Sequence, residues 1–286
     1  MEQQNEPTQV AKEEEIDKRT LKYARQILKD DKWSRRKLKA LRILHTIAFL
    51  FMLAQTIAIS AAYVDAKVPQ SVSFPKENGG PVGVVHIKKS YELPVQVLIS
   101  LFLGLSALDH FLMALMSWIW LPSFSYMVYA VGCNPIRWLE YTFSASLMSV
   151  LIACISGIYD VHLLMEVGGL TGICMIFGFI VEVVPRKRST AWKLPLFSFF
   201  CGFIALALSW LPIFCYFFSR ITYLPGFAYA AFAGIFVAYG LFPINMFLYY
   251  FVQLYNYPLY EGIFILLSFT SKTFLAWDIW GGFMAE

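Results

Sequence analysis

The stretch that decides the fold is residues 259–283, LYEGIFILLSFTSKTFLAWDIWGGF, which is apolar over most of its length and carries Lys272 near its middle. A helix needs about 20 predominantly apolar residues to cross a hydrocarbon core of about 30 Å, and this stretch is long enough. At 1.5 Å per residue Lys272 lies about 20 Å from one end and about 16 Å from the other, too deep to snorkel comfortably to either surface. A charge at the centre of a span costs about 2.5–3.5 kcal/mol on insertion scales, so it is read as functional by default.

Six more apolar runs precede it, at approximately 41–63, 93–118, 135–158, 162–184, 194–218 and 226–252. The composition agrees: of 286 residues, 58% are hydrophobic, 17% aromatic and only 15% charged. Soluble domains carry about 25% charged residues and disordered chains carry few aromatics, which excludes both classes. The expected fold is an all-α membrane protein of seven transmembrane helices, with a charged tail over 1–40 and the helical domain over 41–286. Residues 1–40 lack the apolar core of a cleavable signal peptide, so the first span should also target the chain. Four of the five cysteines lie inside apolar runs, so no disulfide framework is expected. The net charge of +4 is small and mostly reflects basic residues placed beside the bilayer, so it points to no nucleic-acid partner, and none is expected.

Lysine and arginine placement sets the expected orientation. With the N-terminus in the cytoplasm, the inner side holds nine basic residues between Lys22 and Arg42, then Arg137, Arg186, Lys187, Arg188 and Lys193, fourteen in all. The outer side holds five: Lys67, Lys76, Lys88, Lys89 and Arg220. An odd number of spans then puts the C-terminus outside, opposite to most seven-helix receptors. The basic flank suits anionic membrane lipids as partners. Ile16, Leu21, Ala24, Ile27 and Leu28 form a weak helical stripe in the tail, read as a solvated or interfacial lead-in. In the first outer loop, Val72 and Phe74 alternate with polar residues, Pro75 to Pro81 supplies turn chemistry, and Val82 to Ile87 resumes a strand-like run. A small β-hairpin is expected there.

The third span opens Asn134-Pro-Ile-Arg-Trp-Leu-Glu-Tyr-Thr-Phe-Ser144, which places Arg137, Glu140 and Ser144 on one face. Glu140 sits about 8 Å inside the start of its span, shallower than Lys272, but a helical lysine projects back towards its helix N-terminus. Two readings of Glu140 stand at this point: a membrane-edge carboxylate paired with Arg137, or the partner of Lys272. Lys272 likewise is either an ordinary intramembrane ion-pair residue or an amine that forms a Schiff base with a carbonyl ligand, a buried cation for which Glu140 would be the counterion. The four histidines, His45, His86, His110 and His162, show no spacing for zinc ligation on helices, which argues against a membrane metallohydrolase. No metal site and no enzymatic activity are expected.

Three segments together, Ser106-Ala-Leu-Asp-His110, Arg137 to Tyr141 with Ser144 to Met148, and Leu267 to Thr273 through Trp277, resemble the heliorhodopsins, retinal-binding relatives of microbial rhodopsins. The resemblance covers all seven spans, the inverted orientation and the long first outer loop. It implies a rhodopsin-like bundle with all-trans retinal covalently bound to Lys272, Glu140 as single counterion, and Ser268 where the light-driven pumps keep a second carboxylate. Arg137 is implied on the cytoplasmic side of Glu140, and His110 in a polar cavity beside it. Gln55 looks like the family's glutamine in the first span, which puts Met52 where the family has a histidine and leaves His45 near the surface. For the retinal slot the expected lining is Tyr239, Phe242 and Asn245 around Pro243, with Tyr141, Ser144 and Met148. Gly168, Gly169 and Gly172 are read as allowing close helix approach. The implied function is light sensing with a slow photocycle, signalling to an unknown cytoplasmic partner from a homodimer. The alternative is a light-driven or light-gated ion transporter.

Overall fold

The computed structural model describes residues 32–62, 65–75, 85–184 and 193–285. The tail stripe, the turn of the expected hairpin and Arg186 to Arg188 lie outside those residues. Seven long helices dominate: α1 (Lys32–Ala61), α2 (Val95–Ile119), α3 (Pro135–Ile155), α4 (Val161–Val183), α5 (Lys193–Ser219), α6 (Gly226–Phe247) and α7 (Tyr257–Ala285). All seven are long and apolar enough to cross a membrane, so the chain is an integral, multi-pass membrane protein. Each of the seven expected spans thus has its helix, and the first helix begins at Lys32, ahead of the apolar run, because a basic helical stretch continues unbroken into it.

Large apolar side chains such as Leu50, Ile57, Leu139, Phe143, Ile176 and Phe197 face outward, while charged and hydroxyl side chains turn inward. Lipid tails solvate the apolar exterior, and close packing and internal hydrogen bonds hold the helices together. Helices α1 and α2, α3 and α4, α4 and α5, and α6 and α7 pack side by side, and α7 closes back on α1. Contact between α5 and α6 is made through rings, notably Phe217 stacked on Phe232 with centroids 3.9 Å apart and Trp210 edge-on to Phe236 at 5.4 Å. Two of the three fourth-span glycines sit at the α3 contact: a Cβ on Gly168 would meet Val150 at 3.1 Å, and one on Gly172 would meet the Ser146 hydroxyl at 3.3 Å. Gly169 has nothing within 4 Å and faces away from the contact, against the expectation for all three.

The first loop forms the expected antiparallel hairpin, β1 (Lys67–Pro75) with β2 (Val85–Pro94) and a register shift at Gln70/Ser71. Strand β2 runs on to Pro94 and takes the residues that opened the expected second span, so α2 starts at Val95. Ser71 N–H donates to Tyr159 O at 2.8 Å, which docks the hairpin against the α3–α4 turn. The hairpin marks one face of the bundle; the opposite face, where α1, α3, α5 and α7 begin, is called the N-terminal face below.

Before α3, a short helix Leu121–Tyr126 and a π turn Met127–Val131 end at Gly132, whose φ of 64° is left-handed and suits glycine. Asn134 then caps α3 by accepting from the Arg137 amide, and Pro135 takes the first helical position. Pro243 lies inside α6, which continues into a π turn Leu248–Val252. The buried apolar residues divide into two clusters, one holding Met52, Leu151 and Leu275 and the other Leu41, Trp138 and Tyr260. Between them lies a buried layer of His45, Ser106, Asp109, His110, Glu140, Ser144, Ser268, Ser271 and Lys272.

Candidate functional site

Lys272 Nζ lies 2.6 Å from Glu140 Oε1, and both side chains are at most 5% exposed. Ser106 on α2 completes the group, donating to the same Glu140 oxygen at 2.8 Å and accepting a short hydrogen bond from Lys272. A buried ion pair at this depth survives only when its desolvation is offset by good geometry and further hydrogen bonds, and both are present. The depth mismatch between the two residues resolves in the helix stagger. Asn134 is level with Glu261, to which its side chain donates at 2.6 Å, so α3 begins about four residues deeper than α7. From that level Glu140 is about 9 Å in and Lys272 about 16 Å. The lysine, pointing back along its helix, spans the difference.

Glu140 does not pair with Arg137, although the two are three residues apart on α3. Arg137 Nη2 instead donates to Glu182 Oε2 at 2.6 Å, and Nη1 lies 3.1 Å from Glu261 Oε2. Its guanidinium also stands 4.1 Å over the Phe264 ring. The membrane-edge pairing of Arg137 with Glu140 is thus replaced, because carboxylates on α4 and α7 present themselves at better geometry. Arg137 does lie towards the N-terminal face from Glu140, as helix order requires.

One turn beyond Ser106, His110 Nδ1 is 3.3 Å from Asp109 Oδ2 and 3.2 Å from His45 Nδ1. Of two facing imidazole nitrogens, one must carry the hydrogen. His45 is 1% exposed, which corrects its near-surface placement. Its helix starts at Lys32, so His45 is about 20 Å along α1 rather than at its lip. Met52 and Gln55 lie further along α1, where Gln55 accepts from Trp277 Nε1 at 2.8 Å and donates to Thr273 at 3.2 Å.

A cavity runs from Lys272 towards α5. Of the expected lining, Tyr141, Ser144, Met148, Tyr239, Phe242 and Ser268 bound it. Tyr239 donates to Ala145 O at 2.9 Å, which fixes α6 against α3. Asn245 does not reach the cavity. It donates to Tyr260 O at 3.2 Å and accepts from Tyr255, bracing the turn after α6. Gln55, His110 and Arg137 also lie off the cavity wall, as does Glu140, which meets Lys272 from the side.

Sequence reasoning missed the α4 and α5 wall, including Met175, Gly178, Phe199 and Gly202. Spans four and five carry no polar landmark at these positions. It also missed Glu182 and Glu261, which sit near span ends and read as boundary charges, although the rule applied to Lys272 singles out any carboxylate inside a span. Among the described residues, no group of three or more His, Cys, Asp or Glu side chains is placed to hold a metal.

The heliorhodopsin family model matches residues 41–284. Among solved structures, a light-driven proton pump from Leptosphaeria maculans is similar, with a TM-score of 0.52 over 86% of this chain and 95% of its own. At 11% identity that likeness shows a shared rhodopsin-type fold. No curated protein matches the sequence.

Proposed function

The chain belongs to the heliorhodopsin family, and hence to the retinal-binding, light-responsive proteins of rhodopsin fold, and from that premise we propose that it is a photoreceptor in which Lys272 carries all-trans retinal as a Schiff base with Glu140 as its counterion. The observation that carries this reading is the buried contact of Lys272 Nζ with Glu140 Oε1 at 2.6 Å, at the mouth of an aromatic cavity.

The chain's residues fit such a ligand. Tyr141, Tyr239 and Phe242 offer flat faces, Met148 and Met175 offer adaptable apolar contact, and Gly178 and Gly202 let Trp138 and Phe177 pack close at the wall. At Gly178 a Cβ would fall 2.4 Å from the Trp138 ring, so a side chain there would displace that wall. Bound at Lys272, retinal would supply light absorption and double-bond isomerisation. Glu140 and Ser106 hold the charge at Nζ in the dark, and Glu140 Oε1 is the nearest acceptor for a proton leaving it. From there Asp109, His110 and His45 offer further proton positions within the same buried layer.

These groups lie from Lys272 towards the N-terminal face. Towards the hairpin face, α7 buries Leu275, Ala276 and Ile279 and carries one acid, the part-buried Asp278. A polar relay developed on one side favours local proton movement and signalling over transport through the membrane. The N-terminal face is proposed to be cytoplasmic, and the functional unit a homodimer.

The test is the visible spectrum of the protein expressed with all-trans retinal. A visible band is expected that vanishes in Lys272→Ala and shifts strongly in Glu140→Gln. No retinal-dependent band would leave Lys272 an ion-pair residue. Sustained photocurrent from expressing cells would overturn the signalling part and favour transport.

A further inference from the structure

At the N-terminal face Arg137, Glu182 and Glu261 are 2%, 4% and 0% exposed, one guanidinium between two carboxyl groups. Were both carboxyls ionised, an uncompensated negative charge would be buried, a state that proteins avoid by keeping a proton. The hydrogen bonds show where that proton sits. Glu182 has the donor set of an ionised carboxylate: Arg137 Nη2 at 2.6 Å and the Trp138 indole on Oε2, with the Asn134 amide at 3.1 Å and the Tyr257 hydroxyl at 3.0 Å on Oε1. Glu261 Oε1 accepts from the Asn134 side chain at 2.6 Å. Its Oε2 lies 3.2 Å from the same Tyr257 hydroxyl.

A phenol has one hydrogen. If Tyr257 gives it to Glu182, the contact with Glu261 needs a hydrogen from Glu261. Arg137 Nη1, 3.1 Å from that oxygen, is not aligned to supply a hydrogen bond there. Independently, Arg137 Nε and the fully buried Tyr260 hydroxyl have no partner among the described residues, and buried polar atoms of this kind ordinarily hold a water.

We propose that Glu261, Tyr257 and Glu182 form a proton-binding site, with an associated water, that holds one proton on Glu261 in the dark. The chain runs Glu261 O–H to Tyr257 Oη, then Tyr257 O–H to Glu182 Oε1. Shifting both hydrogens along it moves the proton from Glu261 to Glu182 with no change in total charge. The groups facing the site are Asn134, Arg137, Trp138 and, one turn on, Glu140 from α3; Tyr260 from α7; Tyr249 and Tyr250 from the π turn after α6; Cys133 from the loop; and His45 from α1. Arg137 is the cation of this set that touches the carboxyls. Glu261 lies on the same helix as Lys272, eleven residues or about 16 Å before it, and the site does not depend on retinal.

The test is infrared spectroscopy of the full chain in lipid vesicles without retinal, in H₂O and D₂O, reading the carbonyl stretch of protonated carboxyl groups as wild-type-minus-variant differences. One such band is expected to be lost in Glu261→Gln. It should be lost also in Glu182→Gln, where Glu261 must ionise to pair with Arg137. It should persist in Glu140→Gln and shift in Tyr257→Phe, which keeps the ring but breaks the bridge. No band lost in Glu261→Gln would mean that both carboxyls are ionised and would overturn the proposal. Loss in Glu261→Gln with retention in Glu182→Gln, or no shift in Tyr257→Phe, would overturn the three-residue site.

Discussion

Two buried charge centres share helices α3 and α7, yet they are built to different rules. At Lys272 one cation meets one carboxylate, with a serine hydroxyl between them. At Arg137 one cation meets two carboxyls, tied by Asn134, Trp138 and Tyr257 to the ends of three helices. The balanced pair opens onto a cavity, while the unbalanced cluster is enclosed. A pair that must accept a ligand at Nζ needs few, exchangeable partners; a cluster that fixes helix ends is stronger with many. Arg137 and Glu140, at helical spacing for a mutual pair, go to separate centres because each finds a better partner on another helix.

Removing Arg137 should have the largest effect on this contrast. Arg137→Gln strips the cluster of its cation and should cost about 3–5 kcal/mol, read as a loss of thermal stability in detergent. A change of less than about 1 kcal/mol would mean that the cluster is not held by charge. Trp138 joins the two centres, since it lines the cavity and donates to Glu182. Gly178→Ala would press on its ring and should cost about 1–3 kcal/mol, with a shifted visible band in the retinal-loaded protein. An unchanged spectrum would separate the centres. Glu261→Gln replaces one neutral group with another if Glu261 is protonated, so thermal unfolding should change by less than about 1 kcal/mol. The smallest effect concerns Cys133, beside the cluster, whose thiol is pushed up to about 12 by burial, with Glu182 adding to the rise. Thiolate is then scarce at neutral pH and forms only towards strongly alkaline pH. Alkylation at pH 8 should wait for unfolding, and rapid labelling of the folded chain would show the loop to be open.

The spans were legible because bilayer thickness imposes a length on apolar runs, and Lys272 because a central charge has few benign readings. Glu140 was legible only as one of two pairings, since i,i+3 spacing says which residues are neighbours on a helix and not which tertiary partner wins. His45 was misread because matching Gln55 to the family's glutamine put Met52 at the histidine position, whereas His45 itself reaches His110 across the α1–α2 contact at 3.2 Å. The α5 wall was invisible: Phe199 and Gly202 are ordinary members of an apolar run until α6 stands opposite the first and α4 opposite the second. Asn245 lies two residues after Pro243, but its side chain donates to Tyr260 O at 3.2 Å instead of lining the cavity, a tertiary choice that spacing from a proline does not reveal.

The central claim is that Lys272 carries retinal. Its most direct test is borohydride reduction of the retinal-loaded protein followed by peptide mass analysis. The account predicts a retinyl adduct on Lys272. An adduct on another lysine, or none despite a visible band, would contradict it.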